Sequence, residues 1–196
     1  MKKKWLKEPL NVIFKGLFVI LSIFWLFISL SFAVNCFSRV YLYPLGEKET
    51  VIKYSSYYGL DCKMVFSIIK IESGFDANAK SSAGAVGLMQ ITPETGEYIA
   101  KLQGVQDYDL INPKTNVNFG CFYIKYLLSR FNDMQTALCA YNAGEGNVSN
   151  WLKNQEYSKD GKTLYHIPFA ETSNYIKKFH KTFAKYNKLY GKILDK

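Results

Sequence analysis

Histidine and arginine are scarce in this chain of 196 residues: His166 and His180 are the two histidines, Arg39 and Arg130 the two arginines. Four cysteines, Cys36, Cys62, Cys121 and Cys139, form no CxxC pair. A zinc site therefore has little to be built from, and no cofactor is implied. The formal net charge is +9, yet without an arginine-rich patch a nucleic-acid partner is disfavoured. There is no sustained period-two alternation, no repeat of fixed length and no heptad run long enough for a coiled coil. Those absences leave a mainly helical domain. Cys62, Cys121 and Cys139 allow one disulfide in an oxidising compartment, but buried free thiols on helices are the simpler reading.

Charge is also missing from Gly16 to Ser38, a run closed by Arg39. Its 23 residues would reach roughly 34 Å as a helix, against about 30 Å for a hydrocarbon layer. The expectation is a transmembrane helix over 16–38, crossing the lipid bilayer once. A cleaved signal is the alternative, but the apolar run is long for one and Ser31–Ala33 is a weak cleavage match. Cys36 is a poor candidate for lipidation, because Val34 and Asn35 stand where small residues would be expected. Lys2, Lys3, Lys4, Lys7 and Lys15 face a single acid, Glu8, so 1–15 reads as a cytoplasmic basic flank and the rest as extracytoplasmic. Residues 39–49 read as a linker and 50–190 as one folded domain. An anionic extracellular polymer suits this arrangement better than nucleic acid.

Within that domain, Thr50–Tyr58 reads as a helix stopped by Gly59. Asp61 is a good N-cap for a second, Cys62 to Ser73. Thr92-Pro93 and Asn112-Pro113 each read as a cap with proline in the first turn. Shorter helices follow over 135–141 and 147–152, and a long one over 171–190. The segment 74–85 is rich in Gly, Ala, Ser, Asp and Asn and reads as an irregular loop.

Glu72 stands seven, four and three positions beyond Val65, Ile68 and Ile69, on the apolar stripe of its helix. A carboxyl so placed either finds a cation or hydrogen-bond network, or sits at a cleft where desolvation raises its pKa. The second is what a general acid needs. Small residues follow it, then Met89 and Gln90, suited to a sugar's ring face and acetamido group. Among the 15 tyrosines, Tyr141, Tyr165 and Tyr175 are expected near the site.

ESGFDANAKSS followed by AGAVGLMQITPET, then YDLINPKTNVNFGCFYIKYLL, ALCAYNAGEGNV and IPFAETSNYIKKF occur in that order. Together they resemble the soluble lytic transglycosylase catalytic domain across roughly residues 50–188. The resemblance implies a lysozyme-like helical domain with a glycan-binding groove, and Glu72 as the sole catalytic carboxylate. It implies that Ser73, Met89, Gln90, Tyr141, Asn142, Ala143, Glu171 and Tyr175 bind substrate or support the site. The implied reaction is non-hydrolytic cleavage between N-acetylmuramic acid and N-acetylglucosamine in peptidoglycan, leaving 1,6-anhydromuramic acid ends. Peptidoglycan glycan strands are then the partner, with wall-remodelling or secretion machinery as further candidates. Ala77 departs from the family, which often has proline there. Two alternatives stay open. One is a lysozyme-like hydrolase using Glu72 and a second acid drawn from Asp76, Glu94, Glu97, Asp107, Asp109 or Glu145. The other is an inactive wall-binding scaffold.

Overall fold

The computed structural model of the chain describes the backbone of residues 7–194 and the side chains of residues 12–194. It divides into two compact units, Met1–Pro44 and Leu45–Lys196. In the first, helix α1 (Lys7–Phe37) runs for 31 residues, or about 46 Å. A π-helical segment, Ser38–Leu42, follows it. The stretch Val12–Leu42 is long and apolar enough to cross a membrane. From Val12 to Phe37 its side chains are exposed, which is the opposite of a core helix and consistent with one membrane-spanning segment. The expected span, 16–38, falls inside it. Lys2, Lys3 and Lys4 of the expected flank lie outside the described residues.

The second unit consists of helices α2 (Lys48–Tyr58), α3 (Cys62–Glu72), α4 (Pro93–Gln103), α5 (Pro113–Phe131), α6 (Met134–Ala143), α7 (Glu145–Leu152) and α8 (Ala170–Leu194). Two isolated bridges, Lys80 to Val86 and Val86 to Ile91, are the β-pairing among the described residues. Helix α2 starts two residues before the sequence reading, so the segment expected as a linker is shorter, with helical winding at both of its ends. Helix ends follow side-chain chemistry. The Asp61 carboxylate accepts from Lys63 N at 2.8 Å, Thr92 Oγ1 from Thr95 N at 3.2 Å, and Asn112 Oδ1 from Lys114 N at 3.0 Å. Each satisfies a backbone donor that the first turn leaves unpaired.

Asp133 does the same for α6, accepting from both Thr136 N (2.8 Å) and Thr136 Oγ1 (2.7 Å). Because α6 carries Tyr141 and Asn142, its first turn helps set their position. Asp133→Ala is expected to cost about 1 kcal/mol of stability, read as a lower urea midpoint with an unchanged m-value.

Helix α3 packs most extensively on α8, and α5 on α6 and α2. Val65, Phe66, Ile68 and Ile69 are completely buried, each contributing about 1.5–3 kcal/mol of burial. Phe66 also stacks on Tyr186 of α8 at 5.8 Å between ring centroids. The apolar stripe thus fixes α3 at the centre of the unit and determines where its last residue, Glu72, emerges. No disulfide is present among the described residues. Cys121 and Cys139 are fully enclosed, and burial pushes the Cys139 thiol up to about 12.

Candidate active site

Glu72 is the final residue of α3, and Ser73 caps that end. The single proton of the Ser73 hydroxyl is shared between Leu88 O at 2.9 Å and Ile69 O at 3.2 Å, and its oxygen accepts from Phe75 N at 3.1 Å. One side chain therefore ties the helix end to the loop of residues 74–91 on both sides of its turn. Phe75 and Gln90 in this loop have φ of 74° and 49°, left-handed values uncommon for residues with a Cβ. Such strain persists only where neighbouring structure over-determines the backbone.

The Glu72 carboxyl is largely enclosed, and desolvation raises its pKa from 4.5 to about 7. The neighbouring Tyr175 hydroxyl opposes that rise, and the negative charge of Glu171 adds to it. Tyr175 is buried, and its hydroxyl has no partner of good hydrogen-bond geometry among the described residues. Burial pushes the Tyr141 and Tyr175 phenols well above their usual range, with the Glu72 charge as the next cause for both. Helices α3, α6 and α8 thereby bring one carboxyl and two phenols into mutual electrostatic reach. Near neutral pH this carboxyl is divided between its protonated and ionised forms.

The loop is held from α5. Asn116 is completely buried, accepting from Met89 N at 2.7 Å and donating to Val86 O and Leu110 O at 2.9 and 2.7 Å. Gly87, at φ 77°, passes so near Asn116 that a Cβ there would overlap its amide, and a Cβ at Gly120 would overlap the Met89 side chain. The Tyr141 hydroxyl donates to Met89 O at 2.6 Å. Met89 is thus gripped at both backbone atoms, with its side chain fully buried. Gln90 directs its amide nitrogen inward, donating to Gly87 O at 2.9 Å and Ala79 O at 3.1 Å. That amide nitrogen supports the loop.

The remaining expected residues sit on α6 and α8. Asn142 Oδ1 accepts from Thr172 Oγ1 at 2.8 Å, joining the two helices. Ala143 ends α6, its carbonyl accepting from Asn147 Nδ2 at 2.7 Å. Glu171 is exposed in the first turn of α8. Tyr165 is engaged elsewhere: it is exposed, and its hydroxyl donates to Gln155 O at 3.0 Å.

Of the six acids that could have served as a partner for Glu72, none is among the groups shifting its carboxyl. Glu145 is paired with Arg130 Nε at 2.8 Å and accepts from the Tyr126 hydroxyl at 3.4 Å. Asp76 and Asp109 each accept from a backbone N–H two residues on, at 2.8 Å. Among the described residues no group of His, Cys, Asp and Glu could hold a metal ion. Asn116 and Thr172 were missed as site-building residues. Both lie in the segments that carry the family resemblance, Asn116 in the linking segment and Thr172 in the Glu-Thr pair of IPFAETSNYIKKF, which was the available signal.

The transglycosylase SLT domain family matches residues 49–164. The soluble lytic murein transglycosylase of Salmonella typhimurium is 35% identical over 141 residues, 69% of this chain and 22% of that protein. A transglycosylase of Enterobacteria phage PRD1 is 36% identical over 121 residues, 61% of this chain and 42% of that protein. The chain therefore spans between about a fifth and two fifths of these relatives. Among solved structures, an inactive glutamate-to-glutamine mutant of lytic transglycosylase Slt from Pseudomonas aeruginosa matches with a TM-score of 0.65 and 30% identity, covering 74% of this chain and 24% of that one. The 70-kDa soluble lytic transglycosylase of Escherichia coli gives a TM-score of 0.64 at 30% identity over the same shares. With its helical fold, its matched segment and these relatives in agreement, the chain belongs to the transglycosylase SLT domain family.

Proposed function

We propose that this protein cleaves the glycan strands of peptidoglycan without consuming water, using Glu72 first as acid and then as base. The observation that carries the reading is the enclosed Glu72 carboxyl with a pKa of about 7, on which none of the six acids weighed as a second carboxylate acts. Similarity to lytic transglycosylases supplies the substrate class. In the proposed reaction, protonated Glu72 gives its proton to the glycosidic oxygen as the bond to C1 of N-acetylmuramic acid breaks. The acetamido oxygen of the same sugar stabilises the positive charge at C1. The C6 hydroxyl then attacks C1, its proton returns to Glu72, and a 1,6-anhydro ring closes. Tyr175 and Tyr141 line the carboxyl's enclosure, while Ser73, Met89 and Gln90 maintain the wall beside it. Asn142, Ala143 and Glu171 form the facing side of a glycan groove.

The proposed arrangement has a basic cytoplasmic flank at 1–15, a transmembrane helix at 16–38, a linker at 39–49 and an extracytoplasmic catalytic domain at 50–190. The lysine excess before the span supports that orientation.

Mass spectrometry of digested sacculi tests the reaction type. The expected products end in 1,6-anhydromuramic acid, and reducing-end muramic acid without the anhydro form overturns the reading. Glu171→Gln supplies a second arm. Cleavage should continue with anhydro products, but the loss of a nearby negative charge lowers the Glu72 pKa, so the alkaline limb of the rate profile should move to lower pH. An alkaline limb that stays where it is in that variant would show that Glu171 does not act on the Glu72 carboxyl.

A further inference from the structure

A cavity of about 490 Å³ opens between α2, the end of α4 and α5, within the roughly 300–1,000 Å³ of small-molecule sites. It lies on the far side of α5 from Glu72's loop. Asn116 and Gly120 meet that loop, whereas Asn118 and Phe122 line the cavity, two residues on in each case and so about 200° round the helix.

The polar groups in this cavity form a short chain. Gln103 Nε2 donates to the Tyr58 hydroxyl at 3.1 Å, and that hydroxyl donates to Asn118 Oδ1 at 2.7 Å. A hydroxyl has one proton, so the chain has a direction. Its ends, Gln103 Oε1 and Asn118 Nδ2, remain as one acceptor and one donor. Flipping both amides reverses the chain and still leaves one of each. Beside this pair stands the Tyr57 ring, 77% exposed and held edge-on against Tyr58 at 4.8 Å and 88°. Lys53 lines the same cavity, and it shares an adjoining one of about 220 Å³ with Lys114 and the acid Glu49.

An exposed aromatic ring, an amide acceptor and an amide donor at opposite ends of one hydrogen-bonded chain, and Lys53 line this cavity and specify a ligand. The ring suits the C–H face of a pyranose, and the two chain ends suit the N–H and C=O of an acetamido group, which point in opposite directions. A wholly apolar ligand would strand both amide ends without partners. On the reading that peptidoglycan is the substrate, we infer that this cavity is a second, non-catalytic holding site for an N-acetylated amino sugar of the same polymer. Two points of attachment make rebinding at the Glu72 site intramolecular and keep the enzyme on its strand.

The test uses the full chain in detergent micelles, its side-chain amides followed by nitrogen-15 NMR as N-acetylglucosamine trisaccharide is added. The Asn118 and Gln103 amide signals are expected to shift saturably, to stay still in Tyr57→Ala, and to shift again in Tyr57→Trp. Retention of Tyr57→Ala on sacculi should fall about tenfold, while its rate on short soluble glycans is unchanged. Stationary amides, unaltered retention, or equal shifts with glucose oligomers that lack the acetamido group would each overturn the inference. Failure of the cleavage reading looks different: no glycan products from the wild-type chain, whatever these amides do.

Discussion

Glu72→Gln is expected to abolish cleavage of sacculi, by about a thousandfold or more, while binding to them persists. The substitution keeps the side chain's size and removes the transferable proton, and general acid–base catalysis alone is worth about 10²–10⁴ in rate. Because one group is proposed to serve both halves of the reaction, neither half has a substitute. Product release from sacculi, set against co-sedimentation, reads the two properties separately. Undiminished cleavage would remove Glu72 from the mechanism.

The same variant also carries a stability signature of the enclosed carboxyl. The folded state holds the Glu72 proton more tightly than the unfolded chain, since its pKa rises from 4.5 to about 7 on folding. Its contribution is therefore fully present below pH 4.5, is lost as pH rises towards 7, and levels off above. At pH 8 the wild type bears a charged, desolvated carboxylate, at a cost on the order of 3 kcal/mol. Glu72→Gln should thus be near neutral for stability at pH 4 and stabilising at pH 8, as read by denaturant midpoints. In the wild type, kcat/KM should fall as pH rises through about 7, because the acid form is the one that starts the reaction.

Asn116→Ala is the second substitution with a large expected effect. It leaves Met89 N–H, Val86 C=O and Leu110 C=O without their partner in a place closed to water. An unsatisfied buried group costs about 1–3 kcal/mol, so a total of about 3 kcal/mol or more is expected, with Tm lowered by roughly 6–12 °C. Cleavage should drop even at temperatures where the chain is folded, since the Gly87–Gln90 wall loses its anchor. Asn116→Asp separates the two functions of this side chain: it can accept from Met89 but cannot donate to the two carbonyls. It should therefore resemble Asn116→Ala. A wild-type Tm in both variants would show that the loop is held by other means.

Much of the helical framework could be read from local chemistry. Asp61, Thr92 and Asn112 each act within three residues of themselves, so their capping roles were legible in sequence, as was the stop at Gly59. Glu72 could be placed on an apolar stripe by spacing alone. Its perturbed carboxyl could not, because the enclosure is made by Tyr141 and Tyr175, about 70 and 100 residues further along the chain. Asn116 escaped notice as a site-building residue for the same reason, its partners Met89 and Val86 lying 27 and 30 positions away. Positive φ at Phe75 and Gln90 was illegible for another reason, since neither residue type favours it. Gln90 suited a sugar's acetamido group by its chemistry, yet its amide nitrogen turns to the loop's own carbonyls. A group able to recognise a ligand is equally able to recognise backbone, and proximity decides which it meets first.

The lack of a disulfide among the described residues bears on how this protein can be handled. Cross-linked extracytoplasmic proteins depend on oxidising machinery and fail when that machinery or its electron acceptors are missing. A domain held by the Phe66–Tyr186 stack, side-chain caps and a buried amide has no such dependence. Its assembly should be indifferent to oxygen supply, and reductant added during purification should leave its melting temperature where it was.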